Sequence, residues 1–284
     1  MDFNVPYSPL VDRIIELALQ EDLGTGDLVT NSLITSSTRG EATLVAKSNG
    51  IVSGLGVVAR VFRVLDSSIM LVRCLNDGDP VVQGMEIARI RGSYRSLLSG
   101  ERTALNFLQR MCGIATLTRQ YVSKLEGCKT RLLDTRKTAP GLRILDKLAV
   151  LHGGGSNHRM GLYDLAMIKD NHIAIAGGIA PAVEAVRAAI PVYTRVEVEA
   201  ENLDMVQEAL QARADIIMLD NMPIDMMAQA IELIAGRTLT EASGNVKVEQ
   251  VRAIAETGVD FISVGAITHS AQALDISMRI KLIR

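Results

Sequence analysis

The feature that most constrains this chain is an alternation that begins after Thr130. Short apolar runs at 131–135, 165–169, 194–199, 215–219, 238–241 and 261–264 take turns with amphipathic stretches such as 179–189, 202–212, 224–235 and 247–257. Strand followed by helix, repeated, needs crossover connections. It therefore gives parallel strands joined in a right-handed sense. Six units in a row predict an α/β fold whose parallel strands form a barrel more than an open sheet. The core must be built from Ala, Val, Ile, Leu and Met, because hydrophobic residues make up 48% of the chain while aromatics are 3% and Trp is absent.

The first half has a different texture. The segment 7–19 predicts a helix, with Ser8 as N-cap and Pro9 at the first helical position. Leu10, Ile14, Leu17 and Ala18 are its expected apolar face. EDLGTGD at 21–27 reads as a helix stop and turn. The segment 40–54 predicts paired strands around an SNG turn. Gly54, Gly56 and Ala59 fit a loose dinucleotide-loop pattern, but no βαβ unit surrounds them, so a turn into an amphipathic helix is the better reading. The turn-rich stretch 74–93 predicts antiparallel hairpins. Its spacing is similar to half of a biotinyl or lipoyl carrier, without a modifiable lysine at the tip. The segment 96–125 is helical, with Ser99 as candidate N-cap and Gly113 as the expected meeting point of two helices and of two domains. Arg102 then falls in a first turn, where a cation is disfavoured.

Polar residues collect at one end of the six expected strands. They are Asp134 to Lys137, Lys169 to His172, Glu199 after Arg195 and Glu197, Asp220 with Asn221, Glu241 with Ser243, and Gly265 with His269 beyond. In α/β barrels the C-terminal strand ends carry the active site. Arg195, Glu197 and Glu199 alternate with valines, so they share one side of their strand and must find partners if that side is the interior. Glu199 and Asp220 are suited to Mg²⁺ when a substrate phosphate completes its shell. Arg136, Lys137, His158, Arg159 and Lys169 are suited to carboxylates or phosphates. Ser243, Gly244, Asn245 and Gly265 offer backbone N–H groups for a phosphate at strand-to-helix turns. The densest cationic stretch, 131–172, holds three of the four histidines in a chain of net charge −2, which calls for a local anionic ligand. The overall charge balance argues against a nucleic-acid partner.

Cys74, Cys112 and Cys128 have no metal-site spacing and read as thiols in a reducing cytoplasm. The segment MDFNVPYSPL has no signal-peptide pattern. No apolar run approaches the ~20 residues of a membrane span.

The motifs ERTALNFLQRMCGIAT, DTRKTAPGLR, GGGSNHRMGLYDLAMIKDNH, EVEAENLD, MLDN, EASGN and SVGAITHSAQALDIS, with EDLGTGD near the start, cover most of the chain. At these residues the sequence resembles the quinolinate phosphoribosyltransferase family. The resemblance implies an N-terminal α/β sandwich domain over 1–112, an incomplete α/β barrel of about six parallel strands over 113–270, and a C-terminal helix over 271–284 packed back on the first domain. It implies a homodimer in which Arg102 reaches the neighbouring site, with assembly beyond the dimer left open. The implied reaction joins quinolinate to 5-phosphoribosyl 1-pyrophosphate with Mg²⁺, giving nicotinate mononucleotide, pyrophosphate and CO2.

By residue matching, Arg102, Arg136, His158, Arg159 and Lys169 hold the two carboxylates of quinolinate. Lys137 lies near the pyrophosphate or ring, and Glu199 and Asp220 bind ribose hydroxyls and Mg²⁺. Ser243, Gly244 and Gly265 hold the 5-phosphate, with Asn245 and His269 in the same site. Lys137, Lys169, Glu199 and Asp220 are the expected catalytic residues. Three other readings compete. One is a Schiff-base lyase using Lys169. Another is the related protein of molybdate-transport systems. The third is a carrier module on the 77–92 hairpins, which leaves the second half unexplained.

Overall fold

Short β-branched and aliphatic runs build two larger sheets of opposite character and a small two-stranded one. The structure, a computed structural model, describes residues 8–283. Tyr7, expected to open the first helix, and Arg284 lie outside the described residues.

The first compact unit comprises Met1–Arg119, Thr138–Gly154 and Thr268–Arg284. Its strands are β1 (Arg39–Ala46), β2 (Gly50–Ile51), β3 (Met70–Arg73), β4 (Pro80–Val81) and β5 (Glu86–Ser93). A further strand comes from the far end of the chain: Ile276–Leu282 pairs antiparallel with β1, giving Glu41 opposite Lys281 and Leu44 opposite Met278. The C-terminal segment thus does return to the first unit, but as a strand. The reason lies in ISMRIKL, which alternates apolar and polar residues with period two. β2 and β4 form a separate antiparallel pair.

The helix Pro9–Leu23 starts at Ser8 with Pro9 in its first turn and stops at Gly24. Its buried stripe is Val11, Ile15 and Leu19, one residue round from the expected face; Leu10 and Leu17 are exposed. Asp27 then caps the next helix, Leu28–Leu33, by accepting the Thr30 N–H at 2.9 Å. The acidic glycine loop is therefore a stop and a cap. Asp77 Oδ1 accepts the N–H groups of Gly54 and Leu55 at 2.8 and 3.1 Å. The helix Leu55–Leu65 thus begins on a protein carboxylate, which leaves no nucleotide loop there.

The expected break at Gly113 does not occur. Tyr94–Ser123 is one helix that follows directly on β5. Ser99 is therefore not its cap, and Arg102 sits beyond the first turn, exposed. Gly113 serves close approach instead: a Cβ there would stand 2.0 Å from the Gln272 carbonyl oxygen. A glycine in mid-helix reads as a breaker in sequence, and here it is a contact point.

The second unit, Gln120–Lys137 with Gly155–Ile267, holds the predicted alternation. Its strands are β6 (Arg131–Leu133), β7 (Ala166–Ile168), β8 (Val196–Ala200), β9 (Ile216–Asp220), β10 (Leu239–Ser243) and β11 (Phe261–Ser263), which makes the C-terminal strand of the first unit β12. Their order is β6-β11-β10-β9-β8-β7, with all five ladders parallel. Strands follow the cyclic order of a barrel, and β6 and β7 are the two edges. Ser156 makes a parallel bridge to Leu133 on the β6 edge. The cut between units thus differs from a division at 112 and 113, because 138–154 belongs with the first unit. This also splits the cationic stretch 131–172: Arg143 and His152 belong to the first unit, where His152 Nδ1 lies 2.8 Å from Ser53 Oγ. No helix among the described residues is long and apolar enough to cross a membrane.

Candidate active site

Because the six strands of the second unit are parallel, their C-terminal ends share one edge, and the polar residues that directly follow those strands lie along it. Register decides who meets whom. Ile168 pairs with Val198, so the next residues on β7 and β8 are Lys169 and Glu199. Lys169 Nζ donates to Glu199 Oε1 in an ion pair. Ser243 pairs with Asp220 across β10 and β9.

Beyond β9 and β10 the two turns interlock. Asn221 Nδ2 donates to Asp220 Oδ2 at 2.8 Å, and the Asn221 N–H donates to the Ser243 carbonyl at 2.9 Å. A Cβ on Gly244 would stand 2.2 Å from Asn221 Oδ1, so only glycine fits, and its φ of +101° agrees. Asn245 has φ +50°, a left-handed conformation that asparagine adopts more readily than most residues. This is how asparagine takes the position after Gly244. Gly265 follows β11, whose register with β6 sets Ser263 beside Leu133.

On the β6 side, Asp134, Thr135, Arg136 and Lys137 follow the strand. The Lys137 N–H donates to Thr135 Oγ1 at 3.0 Å. Buried Asp134 accepts the His158 N–H at 2.8 Å, which ties the loop after Ser156 to the strand end. Arg159 Nη1 donates to the Leu165 carbonyl at 3.0 Å. Burial, and then the charge of Arg136, lower the pKa of Arg159, so two guanidinium groups face a common region.

One layer below, the inward residues of β8 and β10 meet a histidine. His158 Nε2 lies 3.3 Å from Glu197 Oε2 and 3.4 Å from Glu241 Oε2. The side chains of Glu197 and Glu241 are 0% and 1% exposed. Burial opposes a charged ring, but contact with Glu197 and then Glu241, together with their negative charge, outweighs it and pushes the pKa of His158 up to about 10. Burial raises the pKa of Glu197, and the charge of Glu241 adds to that. The other ring nitrogen, Nδ1, accepts the Arg159 N–H at 2.7 Å. An imidazolium would put a hydrogen on Nδ1 against that N–H. The contact opposes the charged ring, as burial does, while the two carboxylates favour it and set the direction of the shift.

Among the described residues these three are also the set of His, Cys, Asp and Glu side chains whose ligand atoms all lie within 4.8 Å of one another. Glu199 and Asp220 do not belong to such a set. Two hard carboxylates short of a full cage suit Mg²⁺, which keeps water and substrate phosphate oxygens in its shell. The residues present fit that ion without enclosing it.

Arg102 and His269 belong to the first unit. Arg102 is exposed on the helix Tyr94–Ser123, and His269 Nδ1 lies 2.6 Å from Ser270 Oγ. Sequence reading gave no structural task to Asp134 or Glu241. The signal was available for Glu241, which stands two residues before Ser243 and so points to the same side of its strand. For Asp134 the partner is a backbone N–H in another loop, which no side-chain pattern encodes.

Two family models match: the quinolinate phosphoribosyl transferase N-terminal domain over residues 27–112 and its C-terminal domain over 114–279. A protein of Synechocystis described as a probable nicotinate-nucleotide pyrophosphorylase (carboxylating) is 46% identical over 95% of this chain and 92% of its own length. A Bacillus subtilis protein of the same description is 45% identical over 92% of this chain and 90% of its own length. A crystal structure of NadC from Streptococcus pyogenes superposes with a TM-score of 0.95 at 41% identity, covering 99% of this chain and 100% of that one.

Proposed function

The chain belongs to the quinolinate phosphoribosyl transferase family, and from that premise we propose how its strand-end residues divide the reaction. It is a pentosyltransferase that joins quinolinate to 5-phosphoribosyl 1-pyrophosphate with decarboxylation, a step of NAD biosynthesis. The observation that carries the division is the Lys169–Glu199 pair, a seam between a cationic and an acidic half of one strand-end edge.

On the cationic half, Arg136, Arg159 and Lys169 grip the carboxylates of quinolinate, the arginines through two-pronged contacts. Lys137 stands toward the departing pyrophosphate. On the acidic half, Glu199 and Asp220 take the ribose hydroxyls and, with substrate oxygens, Mg²⁺. The ion, when bound, supplies electrostatic stabilisation to pyrophosphate as it leaves. Ser243, Gly244, Asn245 and Gly265 receive the 5-phosphate through the interlocked turns.

As the C1–pyrophosphate bond opens, the ribose carbon becomes oxocarbenium-like and the pyridine nitrogen attacks it. Fixed cations stabilise the charge gathering on the leaving group. The new ring cation then stabilises the electron pair left on the neighbouring ring carbon as its carboxylate departs as CO2, and that carbon takes up a proton from solvent to give nicotinate mononucleotide. No side chain has to form a covalent bond, so Lys169 acts as a cation and not as a Schiff-base nucleophile.

The active species is a homodimer in which Arg102 of the partner subunit completes the cationic half. Exposure of Arg102, and of Leu28, Val29 and Leu33 on one short helix of the first unit, supports an assembly surface there. A cytoplasmic location suits the three free thiols, Cys74, Cys112 and Cys128. The test is a pair of kinetic signatures. Arg136→Ala is expected to raise the quinolinate KM with the donor KM held, and Asp220→Asn to do the reverse. Equal effects of both variants on both substrates contradict the division.

A further inference from the structure

The irregular segment 157–165 carries His158 and Arg159 between two anchored ends. The Ser156 N–H donates to the Leu132 carbonyl at 2.8 Å, and the Ala166 N–H, at the start of β7, to the Arg195 carbonyl at 3.1 Å. Between these ends the backbone donors go to side chains. The His158 N–H donates to Asp134 Oδ1 at 2.8 Å and the Arg159 N–H to His158 Nδ1 at 2.7 Å. The Met160 N–H donates to Asp164 Oδ2 at 2.7 Å and the Gly161 N–H to Asp164 Oδ1 at 3.0 Å. A segment outside helix and sheet has no ladder to fix its backbone, so these acceptors set its course.

Asp134 is buried at its strand end, but Asp164 is exposed. Packing therefore gives no reason for an aspartate there, yet each of its two oxygens accepts one of two successive N–H groups. The backbone it grips begins one residue after Arg159. The guanidinium is tied from the same side: Nη1 donates to the carbonyl of Leu165, next in the chain to Asp164, at 3.0 Å. Residues 164 and 165 thus hold both the backbone beside Arg159 and its head. Charge acts in the same sense. Burial and then Arg136 disfavour the cationic form of Arg159, while Glu197 and then Asp164 favour it. A two-pronged grip on a carboxylate needs the guanidinium in one orientation, and a mobile loop would not supply it.

We infer that Asp164 is a positioning residue for Arg159: its carboxylate closes the turn 160–164 and fixes the reach of the arginine toward the substrate carboxylate. The inference rests on the quinolinate reading for what Arg159 meets, and on the contacts alone for the mount. It adds Asp164 to the residues the reaction needs, as a group that acts through Arg159.

The test is a double-mutant cycle in the full-length protein. Asp164→Ala is expected to raise the quinolinate KM about tenfold, with kcat and the KM of the phosphoribosyl donor held within about threefold. In an Arg159→Ala background the same change is expected to alter kcat/KM for quinolinate by less than about threefold, because no guanidinium is left to aim. Asp164→Asn offers one acceptor oxygen to two N–H groups; it is expected to follow Asp164→Ala in weaker form, and it carries the cycle should Asp164→Ala not fold. Equal losses in the two backgrounds, or matching rises in the KM of both substrates, overturn the inference. Amide hydrogen exchange gives a readout that needs no substrate. The peptide covering 157–165 is expected to exchange faster in either Asp164 variant than in wild type, and unchanged exchange contradicts the mount. Wild-type protein that does not turn over quinolinate sinks the substrate reading, and the exchange comparison still judges Asp164.

Discussion

Lys169 Nζ and Glu199 Oε1 are joined in an ion pair across the β7–β8 ladder, at the mouth of the parallel sheet. Lys169 is 44% exposed and Glu199 16%. Each has a second claimant in the proposed reaction: a quinolinate carboxylate for the lysine, Mg²⁺ and the ribose for the glutamate. The pair keeps both charges satisfied until substrate separates them. Lys169→Ala should therefore raise the quinolinate KM roughly ten- to 100-fold, as loss of a charge-assisted contact of about 1.5–3 kcal/mol implies. Steady-state kinetics with each substrate varied in turn provide the check. An unchanged quinolinate KM removes Lys169 from the site, and borohydride trapping of substrate on it would favour the lyase.

A shared site makes an unusual prediction about mixtures. At quinolinate concentrations near the wild-type KM, Arg102→Ala and Arg136→Ala should each be nearly inactive alone. In a mixed dimer one of the two sites receives both arginines intact. Random exchange of an equal mixture is then expected to restore about a quarter of wild-type activity, because half the dimers are mixed and each carries one whole site. No recovery in dimers shown by mass to have exchanged counts against a contribution from the partner.

The C-terminal strand should confer acid sensitivity on the first unit. Glu41 is flanked in register by Lys281 on β12 and Arg91 on β5. Lys281, and then Arg91, hold its pKa down to about 2 from an ordinary 4.5. The folded value lies below the unfolded one. The contribution is thus complete above pH 4.5 and is lost as the pH falls toward 2. Thermal unfolding of wild type and Glu41→Gln across that range should show a Tm gap at neutral pH that closes on acidification. A gap independent of pH would assign the stabilisation to something other than ionised Glu41.

Gly113 tests the reading of the long helix. Its α-carbon faces the Gln272 carbonyl so closely that a Cβ would stand 2.0 Å away. Propensity alone says Gly113→Ala stabilises a helix interior by about 0.5–1 kcal/mol. The contact says the reverse: a loss of about 1–3 kcal/mol, the usual cost of overpacking. Denaturant unfolding of the variant gives the sign directly.

These cases also mark how far sequence could be read. The six strands and the end on which their polar residues gather were legible, because a period of two and a repeated strand–helix order are local signals. Gly113 misled because a mid-helix glycine looks the same whether it breaks a helix or admits a neighbouring backbone. Ile276–Leu282 was assigned to a helix by resemblance, although its own alternation points to the strand it forms. The Val11, Ile15 and Leu19 stripe was missed by one position, since helix Pro9–Leu23 offers apolar residues on both adjoining faces. At the site, Lys169 and Glu199 were each identified, but their pairing depends on register between strands, which sequence does not print. His158 was identified as a cation facing substrate. The carboxylates behind it come from strands separated by β9, and the Arg159 N–H that meets its Nδ1 is backbone.

The central claim is that this strand-end edge transfers phosphoribose to quinolinate. The most direct measurement is pyrophosphate release by purified full-length protein, with quinolinate, the donor and Mg²⁺ each omitted in turn. Release that requires all three, with CO2 and nicotinate mononucleotide formed in equal amounts, is the predicted result. Release that proceeds without quinolinate, or none with all three present, would contradict it.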